Sequence, residues 1–438
     1  MSGLFDGTFA RGGAAAAVSD DAWFRALLEV EAALARAAAR TGLLPMTAAD
    51  AVTAACADPT RMDLATVVAK AADAGNPVPP LVRALRDAVG EQAARAVHVG
   101  ATSQDVLDTA LVLLARNAIS AIDADLAAAA DAAARLAAAH RDDVVMGRTL
   151  MQQALPTTFG LKAAGWLAGL EGARTRLAEV VAALPVQYGG AVGTLAGSGM
   201  AVRHALAQEL GLESSALPWH TVRLPIADLA GALGAAAGVV ATVAVDVVLM
   251  VQTEVGELAE VSGTRGGSSA MPHKNNPVAA ISARACARRA PGLVGTLFAA
   301  MEQEHERAAG AWHSEWPTLT TLLATVGSAA SWLAESLTSL RPDTGRMAAT
   351  AAAADGGLAG AVAEALTPAL GPDAAHDAAA EAVQESRRTG RPLSEVLAGR
   401  PGLDPALLDR AAAFDVGEAG AQVDAVLADH ARLTEGTA

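Results

Sequence analysis

The stretch Gly266-Gly-Ser-Ser-Ala-Met-Pro-His-Lys-Asn-Asn-Pro277 decides how this chain is read. It breaks a pattern that is otherwise helical. Upstream, Ile226–Val261 predicts one long, almost wholly apolar helix; downstream, another helical run starts near Pro277. The glycines allow backbone conformations barred to other residues, which suits a lid. Ser268 or Ser269 is a candidate nucleophile or base. Lys274 is a fixed positive charge able to meet a carboxylate or a developing enolate. The order Gly-x4-Gly-Lys-Ser/Thr is absent, so this is not a phosphate loop. No strand precedes it, which excludes a nucleophile elbow. The bland alternative is a solvated interhelix loop.

The rest of the composition points the same way. The 438 residues are 52% hydrophobic but only 3% aromatic, and alanine supplies the excess. Alanine is the best helix former and loses no side-chain entropy. A net charge of −15 argues against nucleic acid as a partner, which calls for a basic face. Cys56 and Cys286 form no short-spaced pair, and the nine histidines include no His-x-x-x-His. Neither a disulfide framework nor a metal site is expected. No secretory leader is read at Met1–Asp6, so the expected compartment is the cytoplasm. Leu229–Val245 is free of charge but shorter than the roughly 20 residues of a membrane span. Asp228 and Asp246 bracket it, and it reads as a helix buried within a bundle.

Helix signals divide the chain into three parts: 1–105, a small helical domain; 106–345, a bundle of five long helices; and 346–438, shorter helices between Gly-Pro and Pro-Gly turns. Ser19 opens a helix over Trp23–Ala39, and the prolines of Gly75–Pro80 predict a loop. The bundle helices are expected at Val106–His140, Pro156–Ala183, Ile226–Val261, from about Pro277, and through Thr318–Leu340. No stretch alternates like a β-strand, so the expected fold class is all-α. A helix of some thirty residues is about 45 Å long. Five of them cannot cover Ile226–Val261, which implies burial against other subunits.

Two further polar segments flank these helices. In His98-Val-Gly-Ala-Thr-Ser-Gln-Asp105, the side chains of Thr102, Ser103 and Gln104 join the free N–H groups of a helix start, a combination suited to a carboxylate. Plain N-capping is the alternative. His98 either contacts substrate or caps its own loop. In Gly147-Arg-Thr-Leu-Met-Gln-Gln-Ala-Leu-Pro-Thr-Thr158, Arg148 and Gln153 are the candidate polar contacts. His220 and Arg223 are open between substrate contact and structure, whereas Trp312 and Trp316 read as packing. The segments before and after Val106–His140 lie some 50 Å apart along one helix, so a complete site is expected to draw on more than one chain.

Gly267-Ser-Ser-Ala-Met-Pro-His-Lys-Asn-Asn276 resembles the signature Gly-Ser-x-x-Met-Pro-x-Lys-x-Asn of the fumarase/aspartase superfamily. The other two segments resemble its remaining signature regions, in the same order. Together with Glu304-His-Glu-Arg-Ala-Ala-Gly-Ala-Trp-His313 they are similar to the superfamily's bacterial lactonizing branch. The resemblance implies a three-domain, all-α fold whose long helices form a twenty-helix core in a homotetramer. It implies Ser268 as the base, Lys274 and Asn276 at the carboxylate and intermediate, Thr102 and Ser103 as a carboxylate-binding pair, and Arg307 as a further contact. The activity it implies is cofactor-free interconversion of 3-carboxy-cis,cis-muconate and 4-carboxymuconolactone, with a polycarboxylate as substrate and neither membrane nor nucleic acid as partner. Adenylosuccinate lyases carry a histidine acid where this chain has Gln153, and a His-Asp pair where it has Asn76-Pro77-Val78. Both departures suit a reaction whose leaving group is a carboxylate. Asn275 and Leu150 also depart from the branch, at positions where an arginine and a tryptophan occur. Two rivals stand: a lyase releasing an amine or nitrite from a succinyl skeleton, and a catalytically silent structural tetramer.

Overall fold

The computed structural model describes residues 3–261, 265–267, 271, 274–353, 358–398 and 415–435. The chain forms two compact units, each built from three separate stretches. The first comprises 1–127, 172–244 and 281–333; the second comprises 128–171, 245–280 and 334–438. Helices dominate. The long ones are Ser103–Ala139, Phe159–Ala182, Leu224–Met250 and Ala311–Ser339. Ser103–Ala139 runs 37 residues because no proline or glycine interrupts it.

Several sequence boundaries shift, each for a local reason. Pro79 and Pro80 do not make a loop. They occupy the first turn of the helix Val78–Val89, where a missing N–H costs nothing. The helix Leu224–Met250 stops eleven residues before Val261, and Gln252, Glu254 and Glu257 lie beyond its end. The run after Pro277 is two short helices, Val278–Ala287 and Ala290–Ala299. Strands are present after all. Val144–Thr149 and Gln152–Thr158 pair as an antiparallel hairpin, with Pro156 in its second strand, and Leu258–Glu260 pairs with Leu340–Pro342.

In the first unit, the helix Asp20–Arg40 is capped by Ser19, whose Oγ accepts the Ala22 N–H, and carries Asp20 and Asp21 in its first turn. Its inner face buries Phe24, Leu27, Leu28, Val30 and Leu34, with Glu31 among them. The Leu224–Met250 helix is long and apolar enough to cross a membrane by length and composition alone, yet 44% of its most apolar window is buried within the chain. In the second unit, Val362, Leu366, Ala375, Ala379, Leu393 and Leu397 give the C-terminal helices a core of their own. The last helix, Ala419–Glu435, is anchored by Arg141, which grips both oxygens of Asp424 at 2.8 and 2.7 Å, and by His430 between Glu171 and Asp131.

Close helix contact in the first unit depends on Gly327. A Cβ there would lie 2.3 Å from the Ala14 methyl. Gly327→Ala gains about 1 kcal/mol of helix propensity but overpacks a contact of the kind that costs about 1–3 kcal/mol. The expected result is a lower Tm by calorimetry, and a raised Tm would show that Ala14 does not pack there in solution.

Candidate active site

The first unit assembles a polar cluster around Thr102. Asp105 reaches back to accept the Thr102 N–H at 2.9 Å, closing the N-terminus of Ser103–Ala139. This leaves the Thr102 hydroxyl to accept from Arg307 Nη1 at 2.8 Å, while Arg307 Nη2 donates to the Ala191 carbonyl at 2.9 Å. Two residues far apart in sequence thus meet, one cationic and one hydroxylic, at a helix start whose first N–H groups are unpaired by the helix. Such an arrangement is chemically suited to a carboxylate. Ser103 is the first residue of the helix and belongs to the same cluster. Gln104 does not. Helical periodicity turns it inward to full burial, and its amide nitrogen donates to the His220 carbonyl at 2.8 Å and to Asp108 at 3.2 Å.

Asp105 does more than cap. Its carboxylate also accepts the N–H groups of Gly189 and Gly190, at 3.0 and 2.9 Å, and faces His220 Nε2 at 2.7 Å. Gly100 completes this packing: its backbone is left-handed, and a Cβ would approach the Tyr188 hydroxyl to 2.6 Å. That hydroxyl donates to the Val99 carbonyl at 3.0 Å, and burial pushes its pKa up to about 12, so it stays protonated as a donor. Beneath lies Arg223, fully buried between Asp108 (2.7 Å) and Glu315 (2.6 Å) and stacked over Trp219. Burial alone would lower the Arg223 pKa; the two carboxylates outweigh it and raise it. Burial pushes the Glu315 carboxyl up, against the pull of Arg223. Trp312 Nε1 and Gln187 Nε2 complete the shell of Asp108. The two residues left open by the sequence, His220 and Arg223, are therefore committed to protein partners.

The second unit holds the other two segments. Arg148, expected to contact substrate, is held bidentate by the fully buried Glu257 at 2.7 and 2.8 Å. Its guanidinium ties the hairpin to the segment after the Leu224–Met250 helix. Gln153 pairs with Arg148 across the hairpin but is exposed, and lines a cavity of about 700 Å³ with Ala352, Val383 and Arg391. The base candidate Ser268 lies outside the described residues, as does Ser269. What flanks them is well held. Asn276 donates its N–H and its side-chain amide to the Gly266 carbonyl, both at 2.9 Å, drawing the two ends of the loop together. Gly266 is left-handed, and a Cβ there would strike Asn275 Oδ1 at 2.5 Å. Lys274 is exposed beyond this neck.

Sequence reasoning missed Glu260. Its buried carboxylate accepts the N–H groups of Ala279 and Ala280, at 3.1 and 2.8 Å, and the Ser336 hydroxyl at 2.5 Å. Asn275 Nδ2 donates to its carbonyl at 2.7 Å. An acid from another element thus caps the helix that follows the signature loop. Glu31, Asp108, Glu257 and Glu315 were missed likewise. No local signal marks these four, since a polar or acidic residue stands close to each of them in sequence.

An all-α chain with an arginine–threonine pair at a long helix start and a glycine-pinned signature loop belongs to the fumarase/aspartase fold of lyase-superfamily enzymes. Residues 13–292 match the family model described as Lyase, and the chain belongs to that family. It is 48% identical over 340 residues to the 3-carboxy-cis,cis-muconate cycloisomerase of Bradyrhizobium diazoefficiens, covering 76% of this chain and 75% of that one. It is 47% identical over 350 residues to the nitrosuccinate lyase of Streptomyces davaonensis, covering 76% and 73%. Among solved structures, the 3-carboxy-cis,cis-muconate lactonizing enzyme from Pseudomonas putida superposes with a TM-score of 0.91 at 40% identity, over 98% of this chain and 99% of that one.

Removing Arg223 tests the buried cluster. Arg223→Met leaves Asp108 and Glu315 buried without their cation, a loss expected at about 3–5 kcal/mol. Protonating Glu315 relieves the repulsion. A group whose folded-state pKa is raised stabilises below its unfolded pKa and ceases to do so as pH rises through the folded value. The Tm gap between wild type and variant should therefore narrow on acidification from neutral pH. A gap that stays constant or widens would show that the carboxylates do not carry the loss.

Proposed function

We propose that this enzyme is a cycloisomerase, interconverting 3-carboxy-cis,cis-muconate and 4-carboxymuconolactone in protocatechuate breakdown. The observation that carries this reading is the Arg307–Thr102 receptor at the Ser103–Ala139 helix start, in a chain whose relatives of 45–48% identity include several such cycloisomerases. Thr102, Ser103 and Arg307 take one substrate carboxylate. Lys274 and Asn276 take the carboxylate on which charge develops. A second carboxylate of the substrate adds across the double bond, electrons move into an enediolate, and Ser268 delivers a proton to carbon. In reverse, Ser268 removes that proton. Serine is a weak base, so its oxyanion needs stabilisation by the N–H groups of the glycine-rich loop and by Lys274. Gln153 cannot act as an acid, and none is required, because the group lost in the reverse direction is a carboxylate. His98 is assigned to substrate binding. Arg148 acts through the hairpin it holds.

The 47% identity to a nitrosuccinate lyase favours a second reading, elimination of nitrite from a succinyl substrate. Proton balance separates the two. Closing a tricarboxylate to a dicarboxylate lactone takes up one proton per turnover, whereas eliminating nitrite to leave fumarate releases one. In a weakly buffered indicator assay, the first reading predicts alkalinisation with carboxymuconate and none of its reversal with nitrosuccinate. Acid release with nitrosuccinate alone would establish the second. Ser268→Ala should lower turnover by at least 10²-fold under either, and activity within tenfold of wild type would remove Ser268 from the role of base.

We further propose a cytoplasmic homotetramer with a twenty-helix core, divided along the chain at about residues 105 and 345, and with sites shared between subunits. The Leu224–Met250 helix supports the assembly: Gly231, Ala235, Gly238 and Thr242 leave a stripe of small exposed residues at three- and four-residue spacing. Site sharing is supported by the length of Ser103–Ala139. At 37 residues it spans about 55 Å between the Thr102 segment and the approach to the hairpin. Mixing Ser268→Ala with the Thr102→Ala/Ser103→Ala double variant, after dissociation and reassembly, should restore part of the activity. Confirmed mixed tetramers without activity would place all segments of a site in one chain.

A further inference from the structure

Both oxygens of one buried carboxylate are spent on His98. Glu31, on the helix Asp20–Arg40, has no exposed surface. Its Oε2 accepts the His98 backbone N–H at 2.9 Å, and its Oε1 meets His98 Nδ1 at 2.7 Å. The backbone of His98 is left-handed, φ 63°, a region that a residue with a Cβ adopts at a cost of order 1–3 kcal/mol. Nothing in the turn itself demands this geometry of a histidine. The Glu31 clamp holds it, and the result is a ring whose Nδ1 edge faces the core. The Nε2 edge has no partner among the described residues, and the side chain keeps 15% of its exposure. The same loop carries Thr102, four positions on, and its intervening carbonyl at Val99 is held by Tyr188.

We propose that Glu31 is a positioning residue that acts through His98, presenting its Nε2 edge to a carboxylate of the substrate. This deepens the carboxylate-receptor reading of the Thr102 cluster and rests on it. The chemistry is specific about charge state. With Nδ1–H given to Glu31, a neutral ring offers a carboxylate only a lone pair at Nε2. The protonated ring offers N–H groups to both carboxylates at once. The form that binds is therefore the imidazolium, and the neutral ring captures the substrate less well. The other groups around the pair are Arg36 on the Glu31 helix, the Cys56 thiol, Arg86, Asp105 and Tyr188. Cys56 is pushed up to about 12 by burial and by the Glu31 charge, and Arg86 donates to the Val97 carbonyl at 3.4 Å. Cys56 and Tyr188 remain neutral through the same range, Tyr188 being pushed up to about 12 by its burial.

The test uses Glu31→Gln, His98→Asn and the double variant, with kcat and KM followed from about pH 6 to pH 8.5. Wild type should lose kcat/KM along an alkaline limb. His98→Asn should abolish that limb and raise KM about tenfold, with kcat within about threefold. Glu31→Gln should raise KM comparably and displace the limb, and the double variant should be no worse than His98→Asn alone. If His98→Asn keeps the wild-type KM and pH profile, the proposal is overturned. It is overturned equally if Glu31→Gln lowers Tm and kcat while leaving KM and the limb in place, the mark of a merely structural acid. Thermal-shift titrations with citrate, a tricarboxylate probe, read the same variants without turnover. Citrate should stabilise wild type more at pH 6 than at pH 8, and this difference should vanish in His98→Asn. Loss of the difference in wild type overturns the His98 proposal, while inactive wild type with both substrates overturns the catalytic assignment instead.

Discussion

Arg223 between Asp108 and Glu315 is the interaction on which the first unit depends. It joins three helix-forming stretches: Asp108 lies one turn into Ser103–Ala139, Arg223 directly precedes Leu224–Met250, and Glu315 lies in the first turn or so of Ala311–Ser339. Taking three charges out of water costs several kcal/mol each, and apolar side chains of the same volume would fill the space as well. What apolar side chains lack is direction. A guanidinium with two opposed carboxylates fixes the rotation of all three helices about their axes, because each hydrogen bond fails if its helix turns by one residue. Trp312 and Gln187, both donating to Asp108, tighten the same constraint.

That constraint matters because the candidate receptor sits just before it in sequence. Asp105 is three residues before Asp108, on the adjoining turn, so fixing one fixes the other. Asp105 in turn gathers the N–H groups of Thr102, Gly189 and Gly190 and the ring of His220. Arg307 then finds its two acceptors, the Thr102 hydroxyl and the Ala191 carbonyl, on the two loops that Asp105 has joined. The cation is thus placed by neutral oxygens, and its charge remains available to an incoming anion. The second unit repeats the logic with different partners, using Glu260 to cap the Val278–Ala287 helix and Glu257 to hold the hairpin through Arg148. In both units buried acids organise the backbone, and basic or hydroxylic groups are what reach the surface. This arrangement suits the proposed capture of an anion by a protein of net charge −15.

Much of this was legible in sequence, and the parts that were not share a cause. Long helices free of glycine and proline were readable, as was the all-α class, because periodicity and propensity act locally. Thr102 and Ser103 were readable from the helix start they precede, but Arg307 only through the resemblance, since nothing local relates position 102 to position 307. The hairpin was missed because Gln152-Gln-Ala-Leu-Pro-Thr-Thr158 has weak alternation and a proline. Pairing with Val144–Thr149, a long-range effect, makes it a strand. Arg148 and Gln104 look available in sequence because each is a polar residue in a signature segment. Their partners, Glu257 and His220, lie more than a hundred residues away. Glu31 is the sharpest case. In Leu-Leu-Glu-Val-Glu-Ala-Ala-Leu it looks like one of two interchangeable surface acids, yet Glu29 is exposed and Glu31 is buried completely.

Backbone strain follows the same map. Among the described residues, five that are not glycine have positive φ: His98, Leu150, Met151, Leu195 and His305. His98 begins the Thr102 loop. Leu150 and Met151 form the two-residue turn between Thr149 and Gln152, where asparagine and glycine would be at ease. Leu195 donates its N–H to Gly189, the loop that accepts Arg307, and His305 lies two residues before Arg307 itself. A fold selected for stability alone would relieve such positions with glycine at little cost. Here the side chains are kept and the strain is carried, at four of the five on a segment bearing a candidate site residue. Strain of this kind persists only where surrounding contacts over-determine the conformation. At His98 the contact is Glu31, with two hydrogen bonds to a single residue. The buried acid and the strained loop are two ends of one device, and neither has a structural reason to exist without the other.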